Sequence, residues 1–255
     1  MKTWIPVLCA AALLSVHGAD QSEVEKLKAE IEALKAEQEA EKLKAELAEL
    51  KAKAAVDLIR LQTRGGLKYL PNQEKPFTGV AVEKYDNGQK KNETPYKDGK
   101  EHGLHTLWYE NGQKNEEYIL RFGKWHGLRT VWYENGQKEG ETTYKDGKPY
   151  GPHTMWYENG QKKVEETLKA GKASGLATYW YEDGKKKGES TYNDGNLVTA
   201  TVWKPNGLKC PETNLVDGNG ISCSYHENGQ KRYETTYKDS ERISSKGWDE
   251  NGKPE

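Results

Sequence analysis

The chain has 255 residues and a mean hydropathy of −1.03, and its 34% of hydrophobic residues include only two phenylalanines, too few for the core of a compact globule of this length. Eight tryptophans, 15 tyrosines and 26 glycines are nevertheless too many for a disordered chain, so the composition favours an extended repeat protein over a deep-cored enzyme. The 39 basic and 40 acidic residues give a net charge of −1, which supplies no general electrostatic attraction to nucleic acid or to an anionic membrane.

Residues 1–19 have the features of a secretory signal peptide. Lys2 provides the positive charge, an apolar run extends from Trp4 to Leu14, and small residues surround Gly18 and Ala19. The apolar run is about half as long as a membrane-spanning helix requires. We therefore expect an exported protein, periplasmic or secreted, with the signal cleaved after Gly18 or Ala19.

Residues 20–62 predict a long helix, because Glu, Lys, Ala and Leu dominate the segment and Gly and Pro are absent from it. Its apolar residues follow heptad spacing in two stripes: Val24, Leu27, Ile31 and Leu34, and then Leu43, Leu47, Leu50 and Ala54. Nine residues separate Leu34 from Leu43, which puts the stripes on opposite sides of the helix. We expect an imperfect coiled coil that makes the protein a homo-oligomer; a solvated spacer helix is the alternative.

Residues 63–76 contain Gly65-Gly66, Pro71-Asn72 and Pro76, which predict a linker. Residues 77–255 then consist of an internal repeat with a period of about 22–24 residues. Its turn glycines are Gly88, Gly112, Gly136, Gly160, Gly184, Gly207, Gly229 and Gly252. Seven to eight copies of one unit are therefore expected.

Each copy contains two turn signals separated by aromatic, Thr-rich segments. One copy reads Val131-Trp132-Tyr133-Glu134-Asn135-Gly136-Gln137-Lys138, and Lys145-Asp146-Gly147-Lys148 follows it. Asn-Gly and Asp-Gly favour two-residue hairpin turns in which both central residues have positive φ. The sequence therefore predicts a mostly β fold, an elongated single sheet made of one antiparallel hairpin meander.

A two-residue turn at Asn135-Gly136 also predicts the strand register. Trp132 would pair with Glu139, and Gly127 with Tyr144. Alternation along the strands then places the Tyr series on one face and the Trp series on the other. We expect the Tyr face, which also holds Val131 and Tyr144, to be the covered or concave one, and Leu128 and Thr130 to lie on the Trp face.

The repeated Trp-Tyr-Glu-Asn-Gly-Gln-Lys, followed by Tyr-Lys-Asp-Gly-Lys and Gly, resembles the bacterial variant of the MORN repeat over residues 77–255. The resemblance implies a ribbon-like sheet of stacked hairpins that is used for binding, with no catalytic residues. Proteins with this repeat are commonly labelled antitoxins, which implies a toxin as the partner. The pattern breaks near residues 199–220, where Trp203-Lys204-Pro205-Asn206-Gly207 replaces the usual turn.

No residue cluster predicts catalysis, a metal or a cofactor. Equivalent histidines of neighbouring copies, such as His102 and His126, lie about 9–10 Å apart in such a sheet, too far to share one zinc ion. Glu110, Glu134 and Glu158 begin exposed turns, where nothing shifts a carboxyl pKa. We therefore expect a non-enzymatic protein.

Two cysteines remain after the signal peptide. Cys210 and Cys223 fall on adjacent strands across the turn at residues 217–220. In an exported protein this arrangement favours a disulfide, with two free thiols as the alternative.

Aromatic residues at a fixed pitch are the candidate binding surface, because regularly spaced rings can capture side chains or stack on sugars. The proposed binding ladder is Trp108, Trp132, Trp156, Trp180 and Trp203. The proposed structural ladder is Tyr109, Tyr133, Tyr157 and Tyr181. The alternative is that the tryptophans too only cover the sheet.

Together these features predict an exported, non-enzymatic binding or scaffolding protein whose repeats dock a protein partner. One alternative is an antitoxin or immunity protein that neutralises a toxin by direct binding. Another is a repeat protein that binds the cell wall or a glycan.

Overall fold

A computed structural model of the protein describes residues 21–51 and 55–255, so the predicted signal peptide lies outside the described residues. Helix α1 spans Gln21–Lys51, and a short 3-10 helix spans Leu58–Arg60. The strands of the first half are β1 (Val56–Asp57), β2 (Gln62–Arg64), β3 (Leu67–Tyr69), β4 (Gly79–Lys84), β5 (Lys90–Lys97), β6 (Lys100–Glu101), β7 (Gly103–Trp108), β8 (Lys114–Arg121), β9 (Lys124–Trp125) and β10 (Gly127–Trp132). Those of the second half are β11 (Lys138–Lys145), β12 (Lys148–Trp156), β13 (Lys162–Lys169), β14 (Lys172–Ala173), β15 (Gly175–Trp180), β16 (Lys186–Asn193), β17 (Asn196–Val202), β18 (Gly220–Tyr225), β19 (Lys231–Lys238) and β20 (Glu241–Gly247).

Most strands belong to one long meander, which confirms the predicted mostly β hairpin fold. Fifteen strands from β1 to β17 form a single sheet, antiparallel except where β1 runs parallel to β4. Strands β18, β19 and β20 form a separate antiparallel sheet, and β2 pairs only with β3. The prediction of one continuous sheet was therefore wrong, and the break falls at residues 203–219, where the sequence departs from the repeat.

The Asp-Gly turns have the predicted geometry. In the turn between β11 and β12, Asp146 has φ 51° and Gly147 has φ 85°, and the flanking lysines Lys145 and Lys148 pair directly. This is a two-residue turn whose backbone twist matches that of the strands.

The Asn-Gly turns differ from the prediction, because only the glycine has positive φ. The Gly136 amide donates to the Tyr133 carbonyl at 2.9 Å, and the Tyr133 amide donates to the Gln137 carbonyl at 2.8 Å. This three-residue loop ends in a glycine bulge. Trp132 consequently pairs with Lys138 rather than with Glu139, whereas Gly127 pairs with Tyr144 as predicted.

The segment before the repeats contains less helix than predicted, and it contains short strands where a linker was predicted. Helix α1 is described to Lys51 and does not extend to residue 62, because β1, the 3-10 helix, β2 and β3 occupy residues 56–69 of the predicted helix and linker. Leu61 is buried with Phe77, Ala81 and Tyr96 of the first repeat. Burial of these apolar side chains against the sheet stabilises this segment in place of further helix.

Helix α1 lies on one face of the large sheet, where it contacts β4, β7, β10, β12 and β15. Leu43 and Leu47, from the second apolar stripe, are buried against Val80, Leu104 and Ile119. A coiled coil is not shown, since this stripe binds the protein's own sheet.

Two glycines of the sheet lie close to the helix backbone. A Cβ atom on Gly127 would be 3.6 Å from the Ala36 carbonyl oxygen, and one on Gly151 would be 3.8 Å from that of Ala29. Small residues on both elements thus allow a close approach.

Helix α1 covers the face that was expected to be open. Leu128 and Thr130 line a cavity together with helix residues, so the helix lies on the face of Leu128 and not on that of Val131 and Tyr144. The sheet pattern alone could not indicate this, because both faces carry aromatic residues.

Candidate binding surfaces

The Tyr ladder joins each hairpin to the next one. Each tyrosine hydroxyl donates to the backbone carbonyl of the Trp one repeat later, at 2.7–2.9 Å. The pairs are Tyr85 with Trp108, Tyr109 with Trp132, Tyr133 with Trp156, Tyr157 with Trp180 and Tyr181 with Trp203. In the last copy the His226 ring contacts the Trp248 carbonyl at 2.8 Å in the same way.

Asparagine and glycine complete this connection. The Asn135 side chain accepts from the Gln137 amide at 2.9 Å and donates to the Glu158 carbonyl of the next repeat at 3.1 Å. The Gln137 side chain lies against Gly160, where an added Cβ would be 2.5 Å from its Oε1 atom. The repeated motif is therefore explained by its turn and by contact with the following repeat.

The Trp ladder is interleaved with lysines. Each lysine has its ammonium over the Trp ring of the next repeat, as Lys114 does over Trp132. Every one of these lysines except Lys90, which pairs with Lys84, also pairs across its own hairpin with a Trp. The ammonium-to-ring distances are 5.3–5.8 Å for Lys90 and Trp108, Lys114 and Trp132, Lys138 and Trp156, Lys162 and Trp180, and Lys186 and Trp203. A partner on this surface meets alternating indoles and ammonium groups, not bare rings.

A glutamate three residues after each lysine completes the ladder. The ammonium-to-carboxylate distances are 2.6–2.8 Å for Lys90 and Glu93, Lys114 and Glu117, Lys138 and Glu141, Lys162 and Glu165, and Lys186 and Glu189. All five ladder tryptophans are half-buried. The fixed spacing of Trp, Lys and Glu is present in the sequence, but the predicted binding surface included the tryptophans alone.

The opposite face holds an aromatic cluster that the repeat pattern did not predict. His105 stacks on Tyr118 at 4.9 Å between ring centroids, Tyr118 contacts Trp125 at 4.4 Å, and Trp125 contacts Tyr144 at 5.2 Å. Burial lowers the pKa of His105 to about 4 and raises that of Tyr118 to about 12. These shifts describe a dry, structural cluster in which both groups stay neutral near pH 7.

The two sheets meet at a cavity of about 250 Å³. It is lined by Tyr157, Tyr179 and Lys187 of the large sheet and by Cys223 and Tyr225 of the small one. Burial lowers the pKa of the Lys187 ammonium.

The structure contains Cys210 and Cys223 as free thiols rather than as the predicted disulfide. Both are buried in one cluster with Tyr225, whose hydroxyl lies 3.0 Å from the Cys210 sulfur. Burial raises the pKa of the Cys223 thiol to about 11. The two cysteines thus lie in one buried cluster, and the disulfide in an oxidising compartment stays a prediction.

One group of potential metal ligands occurs among the described residues. Glu212, Cys223 and Glu234 bring their ligand atoms within 4.8 Å of one another. The Lys231 ammonium contacts both carboxylates, at 2.9 Å for Glu234. A lysine cation therefore already balances one of the two carboxylate charges of this cluster.

The histidines that follow the signal peptide have separate partners. His126 Nε2 lies 2.7 Å from Glu39 of α1, and His153 Nδ1 lies 2.8 Å from the Thr142 hydroxyl. Ion pairs from Arg121 to Glu39 and from Lys145 to Glu32 add to the attachment of α1.

The sequence comparisons bear on these repeats. Five segments match the MORN repeat variant. They are residues 77–98, 125–146, 149–170, 173–194 and 219–239. The predicted resemblance is confirmed for these MORN-variant repeats, and within residues 77–255 the longer stretches outside the matched segments are residues 99–124, 195–218 and 240–255. MORN repeats are generally protein- or membrane-binding repeats.

The match covers less than half of the chain and gives no support to the antitoxin label. A comparison with curated proteins finds no match. Among the described residues, no helix combines the length and apolar character needed to cross a bilayer.

Proposed function

We propose that this chain is an exported, non-enzymatic scaffold whose hairpin repeats dock a protein partner. The observation that carries the proposal is that the sheet already holds a polypeptide. Helix α1 crosses five strands of one face, and its backbone approaches Gly127 and Gly151. A face with this shape is suited to helical segments of other proteins as well.

The charged groups of the repeats support a binding role over catalysis. The glutamates of the Trp–Lys–Glu ladder each contact a lysine ammonium, which balances the charge of each carboxylate. Active sites instead concentrate carboxyl groups whose pKa values are shifted by burial and by one another. Export is supported by the composition of residues 1–19.

Affinity capture tests the proposal. The full chain, immobilised through its C-terminus, is incubated with an envelope extract of the cells that produce it, and bound proteins are eluted with an excess of soluble chain. We expect a protein that is retained stoichiometrically and released by this competition. Sedimentation of the chain with purified cell-wall sacculi, without such a protein, would contradict the proposal and favour glycan binding.

An inhibited activity in the captured protein would identify the antitoxin alternative. We give that alternative second place, because it depends on resemblance and no contact in the molecule favours it.

We also propose that the protein self-associates through α1, now by its first apolar stripe. Leu27 and Leu34 are 43% and 51% exposed, whereas Leu43 and Leu47 are buried against the sheet. Light scattering should give an oligomer for the wild type and a monomer for Leu27→Lys with Leu34→Lys. A monomeric wild type would contradict self-association without affecting partner docking.

A further inference from the structure

A cavity of about 540 Å³ runs between α1 and the sheet. Its helical wall includes Glu30, Leu34, Glu37 and Glu41. These residues follow each other at intervals of four and three, the spacing of a heptad seam. One full stripe of α1 therefore faces this cavity, beside the residues that attach the helix to the sheet.

The floor of the cavity becomes more exposed along the repeats. Leu104 and Ile119 are buried at one end, below Leu43. Leu128, one repeat after Leu104, is 41% exposed, and Pro152 is exposed at the next equivalent position. Apolar surface on both walls thus remains partly uncovered, and burying it would favour an occupant.

The rim of the cavity is acidic. Glu30, Glu37, Glu41 and Glu117 line it, with Lys44 as the one lining cation. Lys44 already contacts Glu41 at 2.9 Å, and this hydrogen bond raises the pKa of its ammonium. Glu117 contacts Lys114 at 2.8 Å, so the carboxylates of Glu30 and Glu37 give the groove the negative charge that a cationic occupant would complement.

We infer that this groove binds a basic amphipathic helix of a partner protein, which lies alongside α1 on the sheet. The heptad-spaced wall fits a helix, because a second helix can insert its side chains between those of α1. Its apolar stripe would contact Leu128 and, in place of a second copy of α1, Leu34, and its Lys or Arg residues would face Glu30 and Glu37. This inference rests on the proposed function and specifies the chemistry of the partner.

Fluorescence anisotropy with a designed probe tests the inference. The probe is a three-heptad peptide with Leu at the a and d positions and Lys at e and g, titrated with the full chain. A peptide with the same leucines and Glu in place of Lys is its charge-reversed counterpart. We expect the basic peptide to bind and the acidic one not to bind.

Variants of the chain locate the binding. Glu30→Lys with Glu37→Lys should reduce the affinity for the basic peptide at least about tenfold and allow the acidic peptide to bind. Leu128→Ser should also reduce the affinity for the basic peptide about tenfold. The reduction should be the same at high salt, because salt does not screen apolar contacts. Glu134→Lys with Glu158→Lys makes the same charge change on exposed turns and should leave binding unchanged. Circular dichroism checks that each variant is folded.

Two results would overturn the inference: no binding of the basic peptide to the wild type, or equal weakening by the groove and turn variants. The first includes binding that disappears at high salt, since it would be surface attraction alone. The partner captured from the envelope extract gives a separate readout. Full retention of that partner by folded Glu30→Lys with Glu37→Lys would reject the groove while leaving the proposed function standing.

Discussion

At the residue scale, each turn residue has a role in the next repeat as well as in its own. Gly160 has φ 82° and also lies against the Gln137 side chain. Asn135 binds its own turn and the following one, and its backbone lies outside the positive-φ region that the sequence predicted because the turn is a three-residue loop. The glycine was predictable from turn chemistry, but the second role of asparagine was not, because it depends on how the repeats stack.

Gly160→Ala should destabilise the array by about 1–2 kcal/mol. An L residue is strained at positive φ, and its methyl group would meet Gln137. Gly140→Ala is the matched control, because Gly140 has no positive φ and its added Cβ would make only an ordinary contact of 3.7 Å with the Thr154 carbonyl oxygen. Urea denaturation measures both; an equal loss in the two variants would contradict this account of the turn.

The raised pKa of Tyr118 predicts that the folded protein loses stability at alkaline pH. Burial raises its pKa to about 12 in the folded protein, against about 10 for an unfolded tyrosine. As the pH rises from about 10 to about 12, the unfolded chain releases this proton while the folded one retains it, so unfolding becomes more favourable. The stabilisation is complete below about pH 10 and is lost as the pH passes about 12.

The measurement is the urea midpoint as a function of pH for the wild type and for Tyr118→Phe. The variant should decline less steeply above about pH 10, because the phenol that couples unfolding to pH is absent. Identical slopes would mean that Tyr118 titrates as it does in an unfolded chain.

At the element scale, α1 shows what a hydrophobic pattern can and cannot predict. The heptad spacing of Leu43 and Leu47 correctly predicted a helix with a binding stripe, but not its partner. A coiled coil and a helix on a sheet require the same stripe. Gly127 and Gly151, which lie against the α1 backbone, were interpreted only as features of the repeat.

Leu43→Ala and Leu47→Ala should each reduce the free energy that holds α1 on the sheet by about 2–5 kcal/mol, since both side chains are buried beside Ile119. Leu34→Ala is the control and should cost little, because Leu34 is half exposed. Hydrogen exchange of the α1 amides separates detachment of the helix from unfolding of the array. Equal protection in all three variants would mean that α1 is not held through these leucines.

At the scale of the whole molecule, the irregular segment at residues 203–219 connects two sheets. The Ala200 amide donates to the Leu215 carbonyl and the Gly218 amide to that of Val198, which attaches the segment to β17. Cys210 and Cys223 lie at this junction. The sequence located the irregular repeat but predicted one continuous sheet, because the packing of the small sheet on the large one depends on contacts that have no periodic signal.

In protein recovered from an oxidising compartment, Cys210 and Cys223 should form a disulfide. Closing a loop of this length stabilises the folded chain by roughly 3 kcal/mol. Reduction should loosen strands β18–β20 while the large sheet stays folded, because each repeat contacts mainly its neighbours. Thiol titration under denaturing conditions tests this; two reactive thiols in native exported protein would contradict it.

The central claim is that a protein partner docks on the sheet face that holds α1. Site-specific photocrosslinking in the producing cells tests it most directly, with a photoreactive residue at position 128 in the groove and, in a second chain, at position 134 on an exposed turn. The account predicts a protein adduct at position 128, joined through a basic helical segment, and none of comparable yield at position 134. Equal adducts at both positions, or none at position 128 in folded protein, would contradict it.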